Sequence, residues 1–343
     1  MFSKGNPARR ALLGAAALLS ALLLGACGGG EPITEFAPTR MLVLGDEMSV
    51  LTNPGDDGPV GRKYSVNAVQ SADPTQIDCA AFPLWHQVVA NNYRFAYSEC
   101  NPNGLAVTAA KVYARPGAKV DSMPAQLAAA AAQNGSFGNT DLFLVLVGAN
   151  DIKDEFEKYL LNPTTDNYNA GLAELRSRGV KLAAFVNELT RANVGDVNGP
   201  KVVISTAPLM NLTPYALALA SANPGVPVLN TLYEFSNAFN TALRAGDSAN
   251  GFKGIVNDGR FIGLVVLDGI LQTGVNNPGA YGLTNWTQPV CVVPLPDCDN
   301  VAADLKPNGN AQTWLWASEL WIGPTAHQNL GNFANGRATG NPF

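Results

Sequence analysis

The sequence predicts an α/β fold, a three-layer α/β/α sandwich around a flavodoxin-like parallel sheet. Two observations carry this. Short, uninterrupted apolar runs alternate with longer stretches of helical spacing, the pattern of a parallel sheet buried on both faces. Five such runs occur in order, with no internal repeat. Arg40 to Leu44 is the first strand and ends at Gly45. Trp85 to Asn91 reads as a helix, and Tyr93 to Tyr97 as a second strand. Ala125 to Gln133 is an alanine-rich helix, and Leu142 to Val147 a strand without polar interruption. Leu172 to Arg191 has apolar residues at helical spacing. Lys201 to Ser205 is the fourth strand, Thr231 to Arg244 a helix, and Phe261 to Leu267 the fifth strand. Pro324 opens a last helix, as proline does at a first helical turn.

The N-terminus predicts export. Lys4, Arg9 and Arg10 precede an apolar run from Ala11 to Leu24 and then Gly25, Ala26 and Cys27. That is a three-part signal peptide over residues 1–26. Its end resembles a lipobox, so Cys27 is the expected lipidation site. Residues 27–39 read as anchor and flexible linker, with Gly28-Gly29-Gly30 as a tether, and 40–343 as one domain. Gly28 rather than an aspartate follows the cysteine, which points to the outer membrane, with the protein held there by its lipid. An ordinary secretory peptide is the plainer alternative.

Residues 1–26 hold three of the 22 basic residues and none of the 27 acidic ones. The mature chain is therefore more acidic than the net −5 of the whole, a poor partner for nucleic acid. Two histidines in 343 residues argue against a histidine-rich metal site, and no phosphate-binding glycine loop appears. No metal and no cofactor is expected. Beyond Cys27, Cys79, Cys100, Cys291 and Cys298 remain. An even count in an exported chain suggests two bridges. Of three connectivities, local pairing of Cys79 with Cys100 and Cys291 with Cys298 is preferred over the others and over four free thiols.

Parallel sheets bind ligands beyond the carboxyl ends of their strands. The polar residues there are Asp46, Glu47, Asn150, Asp151, Ser205, Thr206 and Asp268. Gly45-Asp46-Glu47-Met48-Ser49, after the first strand, resembles the first block of the SGNH/GDSL hydrolases, where Gly-Asp-Ser stands. Val147-Gly148-Ala149-Asn150-Asp151 is similar to their Gly-x-Asn-Asp block, and Ala114 to Ala118 to the block that supplies a glycine amide. Tyr281 to Asn285, followed by Cys291, is similar to a late segment of many members. Leu315 to His327 aligns with the closing block, which has the pattern Asp-x-x-His. The blocks run in order from about residue 40 to residue 335.

The resemblance implies ester hydrolysis by acyl transfer. A serine attacks, a histidine takes its proton, an aspartate orients the histidine, and N–H donors hold the oxyanion. It places the oxyanion donors at Gly117 and Asn150. The nucleophile position holds Glu47, the base position Trp321 and the acid position Ser318, so no triad position carries its expected residue. Ser49, two residues on, points elsewhere; His327 is read as a helix-face or packing residue with a lesser claim to a site role, and His86 as a surface or core histidine rather than a base. Trp314, Trp316 and Trp321 lie close together near the crevice by this alignment; they are read as core or rim packing in preference to faces that stack on sugars or acyl chains.

Glu47 has several readings: a nucleophile, which would give a high-energy mixed anhydride; a base, if burial or a neighbour such as Asp46 or Asp151 raises its pKa; an inert substituted pocket; or, because an oxyanion hole is a ready anion site, a carboxylate folded back onto the Asn150 amide and the Gly117 N–H. Two functions follow: an ester hydrolase with a revised site, or a non-catalytic envelope lipoprotein. The second would bind a small ester, a lipid, a glycan or a protein partner in the old crevice.

Overall fold

The computed structural model describes residues 36–53, 60–191, 194, 198–257, 259–340 and 343. The expected signal peptide, the expected lipidation site Cys27 and the Gly28–Gly30 segment read as a tether lie outside the described residues. Residues 36–343 form one compact unit.

Its centre is a five-stranded parallel sheet made of β1 (Arg40–Gly45), β2 (Ala110–Val112), β3 (Asp141–Leu146), β4 (Lys201–Ser205) and β5 (Ile262–Val265). The spatial order is β2-β1-β3-β4-β5, the flavodoxin-like order. β1 pairs with β3 in register from Arg40 opposite Asp141 to Gly45 opposite Leu146. Met41 to Leu44 and Leu142 to Leu146 are fully buried, which is why these runs carry no polar alternation.

Eight helices flank the sheet among the described residues: α1 (Trp85–Asn92), α2 (Met123–Asn134), α3 (Ala149–Leu161), α4 (Thr165–Thr190), α5 (Pro214–Ala222), α6 (Val228–Ala245), α7 (Leu267–Asn276) and α8 (Pro324–Ala338). α1 packs on α8, and α4 on α6. Parallel strands need crossovers, which are right-handed as a rule, and helices on both faces of the sheet make the three-layer sandwich. α6 buries Leu232, Phe235, Phe239 and Leu243 along one stripe, the spacing of an amphipathic helix. β6 (Asn285–Pro289) and β7 (Trp314–Trp316) pair in a separate two-stranded sheet. Both disulfides pair locally, Cys79 with Cys100 and Cys291 with Cys298.

The structure corrects two sequence readings. Tyr93–Tyr97 is not a strand. Tyr93 and Arg94 form a turn after α1, and only Tyr97 makes single bridges, to Ala110 and Cys100. The edge strand is instead the three-residue β2, too short to show a period. The compact unit also begins at Phe36 rather than at Arg40. The Phe36 ring stands edge-on to Phe343 at 5.5 Å, the Lys201 ammonium lies over both rings, and Thr39 N–H donates to the Thr140 carbonyl at 2.8 Å.

Candidate functional site

The strand order reverses between β1 and β3, and ligand crevices of open α/β sheets form at such a switch point. The chain leaves β1 through Gly45, at φ 149°, a left-handed value suited to glycine. A Cβ there would stand 2.1 Å from the Leu146 carbonyl oxygen. Gln126 of α2 braces this bend: Gly45 N–H donates to its Oε1 at 2.8 Å, and its Nε2 donates to the Gly45 carbonyl at 2.9 Å. Asp46 then caps a single 3-10 turn, Glu47–Ser49, its Oδ1 accepting from Met48 N–H at 3.2 Å. Glu47 is thereby presented over the carboxyl end of the sheet.

β3 ends at Leu146, and Gly148 caps α3 and puts Asn150 in its first turn. The loop after β2 carries Gly117, at φ 71°. Three segments distant in sequence meet here. Gly117 N–H donates to Glu47 Oε1 at 2.8 Å, and Asn150 Nδ2 donates to Glu47 Oε2 at 2.8 Å. Asn150 Nδ2 also donates to the Ala118 carbonyl at 3.1 Å. Each carboxylate oxygen therefore has its own N–H donor, and Glu47 is 9% exposed.

Two more carboxyl groups lie next to these residues in the chain. Asp46 is fully buried, and burial, reinforced by the charge of Glu47, raises its pKa well above the ordinary carboxylate range. Its Oδ2 has no hydrogen-bond partner. Asp151 is pushed up to about 6 by burial, against the Val120 N–H that donates to its Oδ2 at 3.1 Å. The Gly117 loop is also fastened to α3 by Lys119 pairing with Asp154, and to α4 by Asp121 pairing with Arg178 and Lys181.

The remaining sequence candidates stand elsewhere. Ser318 and Trp321 share one tight turn. Ser318 Oγ accepts from Trp321 N–H at 3.2 Å, and Ala317 N–H donates to the Trp321 carbonyl at 2.9 Å. No hydrogen bond among the described residues joins either side chain to Glu47. Trp314, Trp316 and Trp321 are all buried, and Trp316 Nε1 donates to the Trp286 carbonyl at 3.0 Å, so they are packing residues. The Ser49 hydroxyl accepts from Trp85 Nε1 at 3.0 Å inside the core.

Both histidines are fully buried. His86 Nδ1 meets the Tyr97 hydroxyl at 2.6 Å. Burial holds each imidazole near pKa 3, so both are neutral. Asp268 is consumed by structure: it accepts from Thr206 Oγ1 at 2.8 Å, Arg244 at 3.1 Å and Asn240 Nδ2 at 3.3 Å. No group of three metal-ligating side chains occurs among the described residues. The sequence reading missed the bracing role of Gln126, whose only signal was an amide within an alanine-rich helix.

No protein-family profile and no curated protein matches the chain. Solved structures do. A member of the lipolytic protein G-D-S-L family from Veillonella parvula is 13% identical, covering 86% of this chain and 95% of its own, with a TM-score of 0.37. A lipase/acylhydrolase from Enterococcus faecalis is 15% identical, covering 86% and 93%, with a TM-score of 0.38. Axe2, an acetylxylan esterase from Geobacillus stearothermophilus, is 13% identical, covering 90% and 97%, with a TM-score of 0.41.

Proposed function

We propose that this chain is an SGNH/GDSL-type protein of the bacterial envelope, anchored by a lipid on Cys27, whose hydrolase crevice is closed by its own carboxylate. One observation carries the reading: Glu47 takes both N–H donors, Gly117 and Asn150, at 2.8 Å each. An oxyanion hole accelerates acyl transfer by meeting charge that develops on the substrate. Here the charge is already present and intramolecular. An ester carbonyl would have to displace a charge-assisted pair of hydrogen bonds, which are stronger than neutral ones. The nucleophile position bears no hydroxyl, and the two imidazoles of the chain are buried and neutral. Without a triad, the rate expected of such a site is at most about 10³–10⁴ over water, as in the subtilisin example. The crevice is then a binding surface, or a relic of catalysis, in a lipid-anchored protein.

A second reading has one observation in its favour. Asp46 is a fully buried acid next to Glu47 in the chain, its pKa raised well above the ordinary carboxylate range by burial and by the charge of Glu47, a pairing that suits acid–base hydrolysis.

Release of p-nitrophenol from short-chain p-nitrophenyl esters tests the two, with the chain compared with Glu47→Ala and Asn150→Ala. Background rates in all three are expected. Turnover by the unmodified chain that both substitutions abolish would replace the closed-site reading with an active carboxylate enzyme. The anchor is tested separately: Cys27→Ser should move the protein from the membrane fraction to the soluble fraction.

A further inference from the structure

A groove of about 370 Å³ opens at the C-terminal end of α1, away from Glu47, between that helix and the segment 95–105. Its walls include Gln87, Asn91, Arg94, Phe95, Pro102 and Asn103, and no lining residue is acidic. The Cys79–Cys100 bridge braces it, with Cys100 in its wall and Gln87 Nε2 donating to the Cys79 carbonyl at 3.1 Å.

The backbone of Arg94 is the telling feature. α1 ends in a Schellman motif: Arg94 N–H donates to the Asn91 carbonyl at 3.1 Å, and Phe95 N–H to the Ala90 carbonyl at 2.9 Å. The residue between the cap and Phe95 must take a left-handed conformation, so glycine or asparagine is usual there. Arg94 occupies it at φ 57°, where a side chain is strained. Strain of this kind persists at positions where the side chain has a task. The exposed Arg94 guanidinium makes no hydrogen bond or ion pair with any described residue, so no polar contact within the fold explains the choice.

The chemistry of the walls selects a ligand. A guanidinium reads a carboxylate through two parallel hydrogen bonds. The Asn91 and Asn103 amides both donate and accept, which suits hydroxyl groups. Phe95, stacked on Tyr93 at 5.8 Å, and Pro102 give an apolar wall. With no acidic residue present, nothing would hold an ammonium group. The volume is near the lower end for ligand pockets, room for one ring rather than a long chain.

We infer that this groove binds a single acidic sugar residue, its carboxylate on Arg94, its hydroxyls on Asn91 and Asn103, and its apolar face on Phe95. The inference is independent of the reading of the Glu47 crevice.

Titration calorimetry of the full-length chain with glucuronate, glucose and glucosamine tests it. Glucuronate should bind, glucose at least about tenfold more weakly, and glucosamine not at all. Arg94→Gly suits the left-handed backbone, so it should raise the melting temperature while removing glucuronate binding. A purely structural arginine would not show this opposite movement. Asn103→Ala should weaken glucuronate several-fold in a protein of unchanged melting temperature. The proposal fails if the unmodified chain does not bind glucuronate, if glucose binds equally well, or if either variant keeps full affinity.

Discussion

The Glu47 carboxylate and the Asn150 amide, 103 residues apart in sequence, meet at 2.8 Å across the β1–β3 boundary. The Gly117 N–H completes the enclosure from the loop after β2. A glutamine at position 47 would keep the shape but set an NH₂ group against an N–H donor. An alanine would leave those donors to water, which reaches the exposed Gly117. Glu47→Gln should therefore be no more stable than Glu47→Ala, each losing about 1–3 kcal/mol. Urea unfolding of the three proteins decides this; a glutamine variant as stable as the parent would show that the anion contributes nothing.

Gly45 makes the bend that presents Glu47, and it leaves no room for a methyl group. The atom in the way, 2.1 Å from an added Cβ, is the Leu146 carbonyl oxygen. That oxygen also accepts from Asp46 N–H at 3.1 Å, so it cannot withdraw without breaking the switch point. Gly45→Ala should cost above about 4 kcal/mol and yield little folded protein. Gly104 is the control. It too has positive φ, but nothing lies within 4 Å of an added Cβ, so Gly104→Ala should cost only about 1–2 kcal/mol, the backbone term. Similar losses at both positions, by thermal melting, would reject the steric account.

Much of this was legible in the chain because burial on two faces leaves a strong mark. β1, β3 and β4 are apolar throughout, and Gly45 and Gly148 punctuate them where the side chains of the site begin. The Glu47–Asn150 contact could be foreseen because both residues lie at carboxyl ends of strands flanking one switch point. Tyr93, Phe95 and Tyr97 misled because alternate aromatics imitate a strand. Tyr93 and Phe95 in fact belong to a helix terminus, where the Arg94 and Phe95 N–H groups donate to Asn91 and Ala90, and Tyr97 makes only single bridges. The true edge strand, Ala110–Val112, is held by pairing with β1 rather than by any pattern of its own. Asp268 looked like a crevice acid, but its partners Asn240 and Arg244 lie on a distant helix that no local spacing reveals.

The two disulfides should differ in worth. Cys79–Cys100 spans 21 residues and Cys291–Cys298 spans 7. If the bridges act by restricting the unfolded chain, removing them costs about 3.4 and 2.5 kcal/mol respectively. The double variants Cys79→Ala/Cys100→Ala and Cys291→Ala/Cys298→Ala, compared by urea unfolding, should keep that order. The reverse order would mean that the small bridge contributes mainly through native packing, where Cys298 is fully buried.

Buried bases and buried acids should oppose each other in the pH dependence of stability. Burial, then the charge of His327 on His86 and of Lys63 on His327, holds both imidazoles near 3. An unfolded histidine titrates near about 6.5. Between those values the unfolded chain binds more protons, so stability contributed by the neutral imidazoles is lost as pH falls below about 6.5. Asp151 acts in the opposite sense. Burial raises it to about 6 from the ordinary 3.8, so the folded chain binds the extra proton, and stability is lost as pH rises through that window. Asp46 has the same sign. The unmodified chain should therefore show a shallow profile between about pH 4 and 6. His327→Leu removes one opposing group and should make stability fall with rising pH, by up to about 1.4 kcal/mol per unit relative to the parent. Asp151→Asn should tilt the profile the other way, toward acid lability. Urea unfolding at steps across this range reads both slopes, and variants that run parallel to the parent would show that these buried groups do not titrate on unfolding.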